Sequence, residues 1–121
     1  MSEYHEPADQ LPDDVKDAHR AMVSLQEEIE AVDWYNQRHA VCTDPALAKI
    51  LAHNRDEEIE HAVMTLEWLR RSNPVWDRQL RTYLFTDGPI TELEEAAVGG
   101  TDEDMDSAAG LGIGSRRQEE E

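Results

Sequence analysis

What most constrains this chain is a pair of apolar stripes with helical spacing, separated by one punctuation mark. Val15, Ala18, Met22, Leu25, Ile29 and Val32 follow one another at alternating steps of three and four. Leu47, Leu51, Asn54, Glu58, His61, Thr65 and Trp68 repeat that pattern, with Ile59, Ala62, Leu66 and Leu69 as a second apolar row beside it. Such a period keeps side chains on one face of an α-helix, close to heptad register. Between the stripes, Thr43-Asp44-Pro45 offers a capping oxygen and then a proline at a first helical position. The spacing predicts one helix from Pro12 to about Ala40 and another from Pro45 to about Arg71. So short a loop between two long helices makes them antiparallel neighbours.

Asn73-Pro74 opens a short third helix carrying Val75, Trp76, Leu80, Tyr83 and Leu84, and Thr86-Asp87-Gly88-Pro89 closes it. The expected fold is all-α: a two-helix antiparallel hairpin with a short C-terminal helix. Residues 1–11 read as a flexible arm, 12–92 as the helical domain, 93–110 as an acidic disordered linker and 111–121 as a distinct tail. In that tail Leu111 and Ile113 alternate with Gly112 and Gly114 before Ser115. Only roughly 80 residues are then left to fold, a size at which a lone core is marginal and oligomerisation is the usual remedy.

The stripe of the second helix is interrupted by chemistry. Glu58 and His61 lie three residues apart, so they project together from one face, one turn apart. A carboxylate and an imidazole placed this way can grip a transition metal. In so acidic a chain the pair alone carries little information, and the bland reading is a solvated helix face. Three features weigh against that reading. The pair lies on the apolar stripe, where an ionised group without a partner is costly. Glu28 sits beside Leu25, Ile29 and Val32 on the first helix, placed to face Glu58. And one chain offers two glutamates and one histidine, half of the four and two that a di-iron site in a helical bundle takes. Two hairpins related by a two-fold axis would form a four-helix bundle with the complete set at its centre. Carboxylates suit ferrous and ferric iron and can bridge two metals, while one imidazole per metal leaves positions open for oxygen. Zinc would fit the same ligands.

Other residues divide between structural and functional readings. Tyr35 lies two turns beyond Glu28 and could hydrogen-bond a ligand or donate an electron, or simply sit in the core. Glu27, Glu30 and Trp34 line a neighbouring face that could attract cations, though a solvated face explains them as well. His19, His39 and His53 have no matching carboxylate pattern.

Charge and composition exclude other classes. With 28 acidic against 11 basic residues the net charge is −17, which repels nucleic acid and anionic membrane and concentrates cations. A single cysteine, Cys42, cannot form an intramolecular disulfide or a thiolate cluster. There is no apolar run of membrane-spanning length, no basic and apolar leader, no phosphate-binding glycine loop and no nucleophile elbow. The expected protein is soluble and cytoplasmic.

Several segments resemble the encapsulated ferritins, iron-oxidising proteins carried as cargo inside encapsulin nanocompartments. They are Glu27-Glu28-Ile29-Glu30-Ala31-Val32-Asp33-Trp34-Tyr35, His53-Asn54-Arg55-Asp56-Glu57-Glu58 through His61, Met64 to Arg71, and Arg81 to Thr86. The resemblance implies a half-ferritin protomer that dimerises to build a ferroxidase centre between chains, with dimers joining into a decameric ring. Carried over, Glu28, Glu58 and His61 of both chains would hold two irons per dimer. Tyr35 would stand next to the ligands, and Glu27, Glu30 and Trp34 would form a metal entrance. Leu111-Gly112-Ile113-Gly114-Ser115 is similar to the terminal peptide that docks cargo on the encapsulin wall, its aliphatics filling pockets while glycines admit close backbones. The chain departs at Arg116, where a further aliphatic anchor is expected. The implied activity is oxidation of ferrous iron by oxygen, feeding mineralisation inside the shell. The competing class is a non-catalytic acidic helical adaptor with nonspecific cation binding. A rubrerythrin-like peroxidase would need an added electron-transfer site that Cys42 alone cannot build.

Overall fold

The computed structural model describes residues 3–100, and among them no strand is found. A turn of 3-10 helix at Ala8–Gln10 precedes α1 (Asp13–Val41), α2 (Pro45–Ser72), α3 (Pro74–Tyr83) and α4 (Ile90–Gly100). The chain divides into two compact units, one ending at Leu69 and the other beginning at Arg70.

The punctuation works as the sequence implies. Asp44 caps α2, its Oδ2 accepting from the Leu47 amide at 2.8 Å, with Pro45 in the first turn. Asn73 caps α3 in the same manner, accepting from the Val75 amide at 2.7 Å ahead of Pro74. At the other end of α1 the Cys42 amide donates to the His39 carbonyl and stops the helix.

Within the first unit, three contacts fix α1 and α2 as an antiparallel pair. His39 Nδ1 meets the Ala48 carbonyl oxygen at 2.9 Å, next to the loop. Further out, Arg55 Nη1 donates to Asn36 Oδ1 at 3.0 Å, and Thr65 Oγ1 donates to Glu28 Oε1 at 3.1 Å. As the α1 position falls from 39 to 28, its α2 partner rises from 48 to 65.

Burial departs from the expected stripes in an informative way. Along α1 the half-buried line runs through Ala18, Ala21, Leu25, Glu28, Val32, Tyr35 and His39, while Val15, Met22 and Ile29 remain open. The seam is therefore rotated about one residue from the centre of the apolar stripe, because a single facing helix covers only one flank of it. On α2 the side chains of Leu51, Glu58, Ala62, Thr65 and Leu66 are half-buried, but Leu47, Ile59 and Trp68 stay exposed. Among the described residues only Leu69 is fully buried. With one fully buried apolar side chain, the described residues have very little hydrophobic stabilisation of their own.

Two expectations need correction. The arm is not a free strand of chain: it forms the turn at Ala8–Gln10, and the Tyr4 ring sits 4.6 Å from the His19 ring. An aromatic ring close to the helix has surface to cover, which tethers the arm. The linker expected from residue 93 begins instead as α4, whose Glu92 lies in the first turn. Its acidic, small-residue composition reads as solvated chain, but alanine, glutamate and leucine are strong helix formers and the early glutamates complement the helix dipole. The rest of the linker, and the tail with Leu111, Gly112, Ile113, Gly114 and Ser115, lie outside the described residues.

The second unit holds α3 by charge. Asp77 Oδ1 accepts from Arg81 Nε at 2.9 Å and from Arg70 Nη1. Beyond Leu84, Phe85 takes a left-handed backbone with φ of 60° and leaves its ring entirely exposed. No helix among the described residues is long and apolar enough to cross a membrane.

Candidate metal centre

The register of the hairpin decides which acidic groups can meet. Glu58 and His61, one turn apart on α2, place Oε1 and Nδ1 3.4 Å from each other. An ion bound at roughly 2.1 Å from each, the usual length for carboxylate and imidazole ligands, would see them at about 108°, an ordinary coordination angle. The imidazole is 43 % exposed and the carboxylate 29 %, so the pair is anchored in the helix face yet open to a ligand.

Glu28 approaches from the opposite helix. Its Oε1 accepts the Thr65 hydroxyl, and Thr65 lies one turn beyond His61, with Oγ1 also 3.1 Å from the His61 carbonyl oxygen. The one-residue rotation of the α1 seam is what brings Glu28 to this position; with Ile29 centred on the seam the carboxylate would sit at its edge. All three expected ligands thus belong to one stretch of one hairpin. Yet among the described residues no group of three or more His, Cys, Asp and Glu side chains gathers closely enough to hold a metal ion. One chain supplies a two-donor pair and a third carboxylate across the seam, and a closed coordination shell needs further donors.

The remaining candidates fall around this core. Tyr35 is half-buried on the α1 seam, with the Arg38 guanidinium 5.3 Å from its ring centroid. That contact gives the ring a structural partner. Glu27, Glu30 and Trp34 all stand exposed, Trp34 at 49 %. His19 is occupied by Tyr4, His39 by the Ala48 carbonyl, and Cys42 Sγ lies 3.6 Å from the Asp44 carbonyl oxygen. Sequence reasoning placed Thr65 on the stripe but gave it no role. Its position four residues after His61 was visible; its meeting with Glu28 depends on the hairpin register and was not.

The EncFtn-like family matches residues 3–87. The chain is similar to a protein of Rhodospirillum rubrum described as an encapsulated ferritin-like protein, with 54 % identity over 95 % of this chain and 88 % of that one. It is also similar to a ferritin-like protein of Thermotoga maritima, 59 % identical over 83 % of this chain and 88 % of its relative. Among solved structures, the crystal structure of a protein from Nitrosomonas europaea is 57 % identical and superposes with a TM-score of 0.71, over 74 % of this chain and 98 % of the other. With the helical hairpin, the Glu58–His61 pair and matches spanning most of the sequence, this chain belongs to the EncFtn-like family.

Proposed function

We propose that this protein is a ferroxidase, oxidising ferrous iron with oxygen at a two-iron site shared between two copies of the chain. The observation that carries this reading is the placement of Glu58 and His61 on one face of α2, with Glu28 held across the seam by Thr65, one turn beyond His61. The donor types fit the substrate: carboxylates accommodate both ferrous and ferric ions, and imidazole retains affinity for the ferrous one. Each copy contributes Glu28, Glu58 and His61, and the two-fold partner supplies the donors that a single chain lacks. Val15, Met22 and Ile29, left open on α1, offer the apolar surface through which two hairpins would close into a four-helix bundle.

In this reading the protein acts by positioning. Two ferrous ions bound side by side can each release one electron to the same oxygen molecule. Glu58 and His61 orient the ions, and Glu28 gives them carboxylate charge that favours the ferric product. Glu27, Glu30 and Trp34 form an exposed approach, and the excess of 28 acidic over 11 basic residues draws cations toward the protein. In the assembled site Tyr35 would take a place next to the ligands. Relatives described as ferritin-like and encapsulated support a further step, in which dimers join into a decameric ring and Leu111 to Ser115 attach it inside an encapsulin shell in the cytoplasm. Iron oxidised by the ring would then mineralise within the compartment.

The test is anaerobic ferrous titration followed by exposure to air, with near-ultraviolet absorbance recorded. Saturation at about one iron per chain and rapid oxidation on mixing are expected. Glu58→Ala and His61→Ala should each abolish rapid oxidation while the helices persist. Wild-type rates in either variant would overturn the proposal, and unsaturable binding with background oxidation would favour a cation-buffering adaptor.

A further inference from the structure

We infer that Thr65 is a positioning residue for the metal centre, holding Glu28 in the orientation that binds iron; this rests on the ferroxidase reading above. A threonine inside a helix ordinarily directs its hydroxyl at the carbonyl four residues back. Thr65 has that acceptor, the His61 carbonyl, at 3.1 Å. A second acceptor, Glu28 Oε1, lies at the same distance from the facing helix. The hydroxyl has one proton, and a carboxylate is the stronger acceptor, so the proton is directed to Glu28.

That bond fixes more than one torsion. Threonine in a helix divides between two χ1 rotamers, and the contacts of Oγ1 with the His61 carbonyl and Glu28 Oε1 mark the one that Thr65 takes, one turn beyond His61. Glu28 has three rotatable bonds and is only half-buried, so packing alone does not select its rotamer. Anchoring one carboxylate oxygen on Thr65 leaves the other oxygen for an ion and ties its location to the helix that carries Glu58 and His61. Ligands from two helices are thereby registered to each other before metal arrives, and hydrogen bonds to ligating carboxylates tune affinity in this way.

The experiment uses the full-length protein, held at a concentration where it is fully assembled, and Co2+ as a probe that reports its coordination by visible absorbance. Thr65→Val keeps the shape and removes the hydroxyl; Thr65→Ser keeps the hydroxyl; Thr65→Ala preserves helix propensity if valine disturbs packing. Thr65→Val and Thr65→Ala should weaken Co2+ binding by about tenfold or more with unchanged helix content, and Thr65→Ser should restore it. Wild-type affinity in Thr65→Val or Thr65→Ala, while Glu28→Ala loses binding, overturns the role of Thr65 and leaves the ferroxidase reading standing. Loss of helix in both variants assigns Thr65 to the fold and overturns the inference. Equal Co2+ binding by wild type and Glu28→Ala removes the metal centre itself, and the inference with it.

Discussion

Ile29 offers a quantitative test of whether the open face of α1 is an interface between copies. It stands on the uncovered flank of the stripe, 56 % exposed, next to a glutamate proposed to bind metal. Truncation to alanine removes three side-chain carbons, each worth about 0.8 kcal/mol when taken fully out of water. Counting only the 56 % that a partner would have to cover gives about 1.3 kcal/mol per chain. A two-fold interface contains the residue twice, so Ile29→Ala should cost the dimer about 2.7 kcal/mol, roughly a hundredfold in Kd. Sedimentation equilibrium over a dilution series, in the presence of chelator so that no metal bridges the chains, measures this directly. Alanine is the better helix former, so any helix effect runs in the opposite direction and cannot imitate the loss. A Kd within about threefold of wild type would show that this flank is not what partners cover, and the four-helix arrangement proposed here would be wrong.

Three other outcomes are expected, from a helix cap, a backbone angle and the C-terminal tail. Asp44→Ala removes the side-chain acceptor of the Leu47 amide and should lower stability by about 1 kcal/mol in denaturant titration, with iron oxidation retained; an unchanged midpoint would mean water caps α2 equally well. Phe85→Gly relieves a left-handed backbone at φ of 60°, and its ring is fully exposed among the described residues, so the melting temperature should rise; a fall would show that the ring is covered in the assembly. Deleting residues 111–121 should leave oxidation kinetics intact and abolish co-purification with a co-expressed encapsulin shell, and retained co-purification would assign docking elsewhere.

The helices and their limits were legible because they depend on neighbours in sequence. Asp44-Pro45 and Asn73-Pro74 start α2 and α3 through amides two or three residues away, and the apolar period reports a helix wherever it persists. The Glu58–His61 pair was equally readable, since three residues on a helix fix their relative direction. α4 was misread because its composition is that of solvated chain, while its formation rests on propensity and on packing within the second unit.

What the sequence by itself determined is therefore α1, α2 and α3, the antiparallel hairpin and the candidate ligands. Only tertiary structure decided which flank of each stripe the hairpin would use. That choice set Glu28 and Tyr35 on the seam, exposed Met22 and Ile29, and joined Thr65 to a carboxylate 37 positions away. The physical reason is that an apolar stripe is wider than the contact one helix can make with it. Its period fixes a face, but rotation within that face is settled by which side chains interlock across the seam.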